Sequence, residues 1–220
     1  MKFITNSLFN SKIKRIIIIF ILLIFYIIFC AISYTNAVCT NISDSVFRLH
    51  VIANSNSSED QNLKYIVRDN VIDYINNISK NATSKLEIME IVKQHIDEIN
   101  LIALQTIKDN GYNYTVNTNI GNFVFPSKQY GDITLPPGYY DALKIEIGEA
   151  KGENWWCVMF PPLCFVDVTS GIVPEESKEI MKNSMEEEEF QLISEAKNDI
   201  KLKFKIVEVL QNFTISGIFM

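Results

Sequence analysis

The residues best equipped for chemistry are crowded into Asn154-Trp155-Trp156-Cys157-Val158-Met159-Phe160-Pro161-Pro162-Leu163-Cys164-Phe165, which holds both tryptophans and two of the four cysteines of the chain. A turn at Pro161-Pro162 would bring the Cα atoms of Cys157 and Cys164 within the roughly 4.4 to 6.8 Å that a disulfide demands. A continuous strand would hold them too far apart and leave two small buried apolar side chains instead. A zinc site would need His50 and His95 as further ligands, at a spacing that fits no recognised cluster. A nucleophilic thiolate needs a base, and only those two histidines could serve. The enzymatic alternative is therefore a secreted Cys-dependent hydrolase with Cys157 or Cys164 as nucleophile and His50 as base. No Ser/His/Asp, HExxH or phosphate-loop pattern occurs in the sequence.

The other reading of this stretch is recognition. Successive side chains of a strand point to opposite faces, so Trp155 and Trp156 cannot enter one core together. One of them needs a second layer or a partner. Asp60, Lys64 and Arg68 recur every four residues with Asp69 directly after, as a solvated ion ladder worth about 0.2 to 0.5 kcal/mol per pair or as a polar contact face. Glu186 to Glu189 read as an exposed helix surface, and His95, on the flank of a helical stripe, as a structural residue.

These residues need elements to hold them. Val46 to Ala53 alternates as a strand, with Phe47, Leu49, Val51 and Ala53 on one face and Arg48, His50 and Ile52 on the other. Ser58 and Gln61 have capping-box spacing and open a helix that runs to Ile78. Ser84 and Glu87 repeat the spacing for a second helix, whose apolar stripe from Ile88 to Ile107 stops near Asn110-Gly111. From Tyr112 to Phe165 the period becomes two, and Pro137-Gly138 suits a type II turn joining strands near Ile133 and Tyr139. A third helix is expected over Glu175 to Asp199, begun by Pro174, and a last strand over Leu202 to Val209. Helices and strands segregate, which predicts an α+β domain: a mainly antiparallel sheet with about three amphipathic helices packed on it.

An export helix precedes this domain. Lys12, Lys14 and Arg15 stand immediately before Ile16 to Ile32, an uncharged run that follows the order of a signal peptide. Residues 1–40 are thus a signal peptide or an N-terminal membrane anchor, and 41–220 an extracytoplasmic domain. Thr35-Asn36-Ala37 offers the small residues a signal peptidase reads, while the length of the run leaves an uncleaved anchor open. The net charge is −6, and Lys2, Lys12, Lys14 and Arg15 all precede the first acid, Asp44, so the chain without these four cations carries −10. So acidic a domain is repelled by nucleic-acid phosphates and anionic lipid head groups. Membrane association is expected only through the N-terminal segment, and the partner is expected to be a protein or a small molecule.

Three blocks of this sequence resemble the stage II sporulation protein R family. The first is Phe47-Arg48-Leu49-His50-Val51-Ile52-Ala53-Asn54-Ser55 with Asp60-Gln61-Asn62-Leu63-Lys64 and Val67-Arg68-Asp69. The second runs from Tyr130-Gly131 through Leu135-Pro136-Pro137-Gly138-Tyr139-Tyr140-Asp141-Ala142-Leu143 to Ile147-Gly148. The third is Gly152-Glu153-Asn154-Trp155-Trp156-Cys157 with Pro161-Pro162-Leu163-Cys164-Phe165. The resemblance implies a signalling protein made in the forespore and exported into the space between forespore and mother cell. There it would stimulate a membrane-bound aspartic protease that processes pro-sigma-E, being itself no enzyme and using no cofactor. On that footing the expected contact set is Arg48, His50, Lys64 and Arg68 with Trp155, Trp156 and Phe160, since aromatic and arginine anchors dominate interface energies.

Overall fold

The structure, a computed structural model of the 220-residue chain, describes residues 2–164 and 173–194. It divides into two units, Met1–Val38 and Cys39–Met220. The first contains most of α1 (Lys2–Asp44), whose side chains from Ile16 to Phe29 are exposed and which is long and apolar enough to cross a membrane. The second unit begins with the last residues of α1, where Cys39 and Ile42 are already part of the domain core.

The domain is α+β. Its four-stranded sheet has the order β2-β5-β1-β6, with β1 (Phe47–Ile52), β2 (Val116–Phe125), β5 (Gly138–Ile147) and β6 (Asn154–Phe160). Two of its three pairings are antiparallel; only β1 and β5 run parallel. That parallel pair is reached by a long crossover through α2 (Ser58–Ile78), α3 (Lys85–Gln94), α4 (Ile96–Asp109) and β2, as a parallel connection requires. Leu49 and Val51 of β1 and Leu143 and Ile145 of β5 are fully buried beneath the apolar stripes of α2 and α4, which supply Leu63, Val67, Val71, Ile99, Ala103 and Ile107. The opposite face is not bare. There Arg48, Tyr140 and Phe125 are buried together with Tyr130, Ile133 and Leu135 from a small hairpin of β3 (Lys128–Tyr130) and β4 (Ile133–Leu135), and α6 (Glu187–Ser194) packs on β4.

The elements depart from the sequence reading in several places, each with a local cause. The cap of α2 is Ser57, whose extended backbone lets its Oγ accept from the Asp60 N–H at 3.2 Å; Ser58 is already helical. The single helix expected from Ser84 is two, because His95 leaves helical geometry at φ −106, ψ 19 and its ring turns to the Tyr74 hydroxyl at 3.2 Å. The hairpin expected at Pro137-Gly138 lies instead at Gly131-Asp132, where Gly131 takes the positive φ of 56 that the turn needs. Gly138 opens β5, in a different sheet from β4, and the Tyr140 hydroxyl donates to the Pro136 carbonyl at 2.7 Å across the junction. The helix begun by Pro174 likewise breaks, into α5 (Glu175–Ser184) and α6, with the break at Met185-Glu186. Glu186, Glu187 and Glu188 are exposed as expected, but Glu189 is buried, accepting from the Glu186 N–H and from Asn41 Nδ2. The expected strand from Leu202 to Val209 lies outside the described residues.

Candidate partner-contact surface

One end of the sheet is fastened by the loop between β1 and α2. Asp60 is buried, and its Oδ2 accepts from Asn54 Nδ2 at 2.8 Å and from Ser55 Oγ at 2.6 Å. Burial alone would raise the Asp60 pKa, but these bonds, with those from Tyr114 and Ser57, hold it below the usual carboxylate value. Asn54 turns its Oδ1 the other way, to the Glu149 N–H at 2.9 Å, so one side chain ties the loop before α2 to the turn between β5 and β6. Two backbone bonds repeat the tie, from Gly152 N–H to the Ala53 carbonyl and from Lys151 N–H to the Asn54 carbonyl. Gly148, at φ +58, and Gly152 sit so close to Asn54 and Ser55 that a Cβ at either would collide with them. Lys64, 1% exposed, spans the same gap, donating to Gln61 Oε1 and to the Glu153 carbonyl at 3.0 Å. Burial lowers its pKa, with Glu153 opposing.

This clamp fixes α2 against β6, and one helical turn beyond Lys64 a surface cluster results. The Arg68 guanidinium lies 4.3 Å from the Trp155 ring centre and 5.0 Å from that of Tyr65, while Tyr65 meets Trp155 edge to face at 5.4 Å. Asp69 holds the same guanidinium at 2.6 Å. Tyr65 is exposed, Trp155 and Arg68 half-buried, and among the described residues the Trp155 Nε1–H has no hydrogen-bond partner. The stack therefore presents aromatic area and a cation already ordered by neighbours, which lowers the entropy cost of docking.

Trp156 points to the other face, as the strand geometry demands. It stacks on His50 at 3.7 Å between ring centres, and Phe125 closes on it at 4.6 Å. His50 Nε2 faces Asn154 Oδ1 at 2.7 Å, which makes Nε2 the protonated nitrogen of the neutral ring. Burial pushes its pKa down to about 4, with the Asn154 bond acting in the opposite sense. Arg48 lies deeper. Its Nη2 donates to the Tyr130 hydroxyl at 2.6 Å, and its guanidinium sits 4.1 Å over Phe125 and 4.7 Å from the Tyr140 ring centre.

The expected contact set therefore separates into two groups. Arg48 has no exposed area, Lys64, His50 and Phe160 are buried, and in this conformation they act as scaffold beneath the surface. Arg68, Trp155 and Trp156 retain accessible area. The expected solvated ladder of Asp60, Lys64 and Arg68 is not formed, since the first two bond inward to loops. Cys157 and Cys164 are joined in a disulfide with Cα atoms 5.1 Å apart, across a turn entered at Phe160-Pro161. Neither sulfur is a free thiol, and His95 is occupied by Tyr74. No cluster of His, Cys, Asp or Glu suited to a metal occurs among the described residues. Tyr65 was missed in the sequence. Its signal was an aromatic residue on the polar side of α2, three positions before Arg68.

The family model described as stage II sporulation protein R matches residues 43–170. A curated relative of that name from Bacillus subtilis (strain 168) is 39% identical over 147 residues, an alignment that covers 66% of each chain. The chain thus spans just under two thirds of the length of that relative. No solved structure matches.

Proposed function

The chain belongs to the stage II sporulation protein R family, and from that premise we propose that it is an exported signal that activates a membrane-bound aspartic protease for the processing of pro-sigma-E. Membership gives it a role in sporulation. The finer reading places it in the space between forespore and mother cell, delivered there by residues 1–40 as a cleaved signal peptide or as an anchor, with 41–220 as the signalling domain. It acts as a ligand and not as an enzyme.

The observation that carries this reading is the Tyr65–Arg68–Trp155 stack, an ordered aromatic and cationic surface on a domain whose cysteine pair is oxidised and whose histidines are tied to Asn154 and Tyr74. Arginine and tryptophan are the residue types in which interface energy concentrates. To switch its receptor on, the ligand must bind the active form better than the inactive one, because equal affinity shifts no equilibrium. Trp156, stacked on His50 at the other face, supports the strand that presents Trp155.

The reading is tested by co-expressing the chain, the receptor protease and pro-sigma-E in a host that does not sporulate. Mature sigma-E is expected with the full chain and absent when Ile16 to Ile32 is interrupted by charged residues, which blocks export. Equal processing by the export-blocked chain would overturn the proposal.

A further inference from the structure

We propose, resting on the function given above, that the receptor meets the Tyr65–Arg68–Trp155 surface with a basic face, one that borders its aromatic-binding centre with lysine or arginine. The charge excess of the domain lies where that docking would occur. Residues 165–172 and 195–220 carry four lysines and four acids, so the described part of the domain holds the whole of the −10. Within it, α2 and residues 149–160, which form β6 and the turn before it, hold six acids against three cations.

Those three cations are committed inside the chain. Lys64 is buried and donates to Gln61 and to the Glu153 carbonyl, Lys151 holds Glu149 at 2.8 Å, and Arg68 is held by Asp69. The acids face outward. Asp69 keeps 46% of its side chain accessible although it binds Arg68, and Asp73 and Glu153 are exposed. Tyr65, Asp69 and Asp73 follow one another at four-residue steps, so two carboxylates continue the side of α2 that carries the aromatic ring. Glu153 stands two residues before Trp155, at the other border of the stack.

The rings select the same sign of charge. The face of an aromatic ring is its negative pole, and here the Arg68 guanidinium already rests against both Trp155 and Tyr65. A cation brought by the partner is favoured by the rings and by the carboxylates around them, and an acid is opposed by both. A second copy of the chain would set this acidic surface against itself, which disfavours self-association here. A basic partner gains in encounter rate instead, because charges at the border steer association while the aromatic anchors decide how long the complex lasts.

The test is the kinetics of binding between the full chain and the immobilised receptor protease, both in uncharged detergent, as salt rises from about 0.05 M to about 0.5 M. The wild-type association rate is expected to fall roughly tenfold over that range. Asp73→Lys with Glu153→Lys should associate roughly tenfold more slowly at low salt and lose most of the salt dependence, with Asp73→Asn and Glu153→Gln in between. Melting temperatures should not change, since both positions are exposed. Glu186→Lys with Glu188→Lys, on and beside α6, alters the net charge equally and should leave the rate within about twofold. Trp155→Ala should shorten the life of the complex without slowing its formation. An association rate indifferent to salt and to Asp73 and Glu153, or slowed as much by the α6 pair, would overturn the basic face and leave the signalling function standing. A wild-type chain that does not bind, or a Trp155→Ala complex as long-lived as the wild type, would overturn contact through this surface and the basic face with it. A dimer of the free chain that Trp155→Ala converts to monomer, read by light scattering, would assign the surface to a second copy and overturn the inference.

Discussion

His50 shows how a residue that looks catalytic in sequence becomes structural in the fold. Its ring is sandwiched against Trp156, bonded through Nε2 to Asn154 and flanked by Lys144, Glu146 and Arg48, and its pKa is pushed down to about 4 by burial. The folded state therefore holds a neutral ring where the unfolded chain, with an ordinary pKa near 6.5, binds a proton. Between those values the unfolded state carries more protons, so stability is complete above about pH 6.5 and falls as the pH drops towards 4. The loss assignable to this group is on the order of 3 kcal/mol. Denaturant unfolding at a series of pH values should show that slope in the wild type and a flatter one in His50→Gln. Equal slopes would mean that the ring is not buried neutral. Arg48, by contrast, shares the polar face of β1 with His50 and is nevertheless fully buried: its guanidinium donates to one tyrosine hydroxyl and lies against the faces of Phe125 and Tyr140.

Elements were readable wherever a single periodicity governed them. β1 and α2 follow from alternation and from the 3.6-residue stripe, and the opposed directions of Trp155 and Trp156 follow from strand geometry alone. What the sequence concealed were the places where a tertiary bond overrides the local pattern: the break at His95, the hairpin at Gly131 rather than Gly138, and above all the clamp between the two loops. Asn54, Asp60 and Gly148 are unremarkable one at a time, and only the fold brings them into contact. The clamp makes a sharp demand on Gly148. An alanine there must hold φ +58, at roughly 1 to 2 kcal/mol, and must also displace Asn54 from Asp60 and Glu149. Gly148→Ala should lower stability by about 2 to 4 kcal/mol in a thermal melt, and a melt like that of the wild type would show that the clamp carries no strain-sensitive contact. The disulfide belongs to β6 and its turn. Closing so short a loop, seven residues in separation, is worth about 2.5 kcal/mol by chain entropy, so Cys157→Ala with Cys164→Ala should destabilise by no more than about that amount and leave the domain folded. Collapse of the fold, read by circular dichroism, would assign the cystine a larger role.

The chain comprises an apolar helix able to span a membrane and an acidic α+β domain in which Asn54, Asp60 and Lys64 bond to the domain's own loops. Among the described residues the Tyr65–Arg68–Trp155 stack presents accessible aromatic and cationic area held in place by its own neighbours. An interface anchor of this kind contributes about 2 kcal/mol or more, a factor of roughly thirty in affinity. The central claim, contact with a receptor through this surface, is tested most directly by the amount of mature sigma-E made with Trp155→Ala in the co-expression host, once circular dichroism has established that the variant is folded and blotting that it is exported. Processing should fall to background at ligand levels that suffice for the wild type. Wild-type processing by a folded, exported Trp155→Ala chain would contradict it.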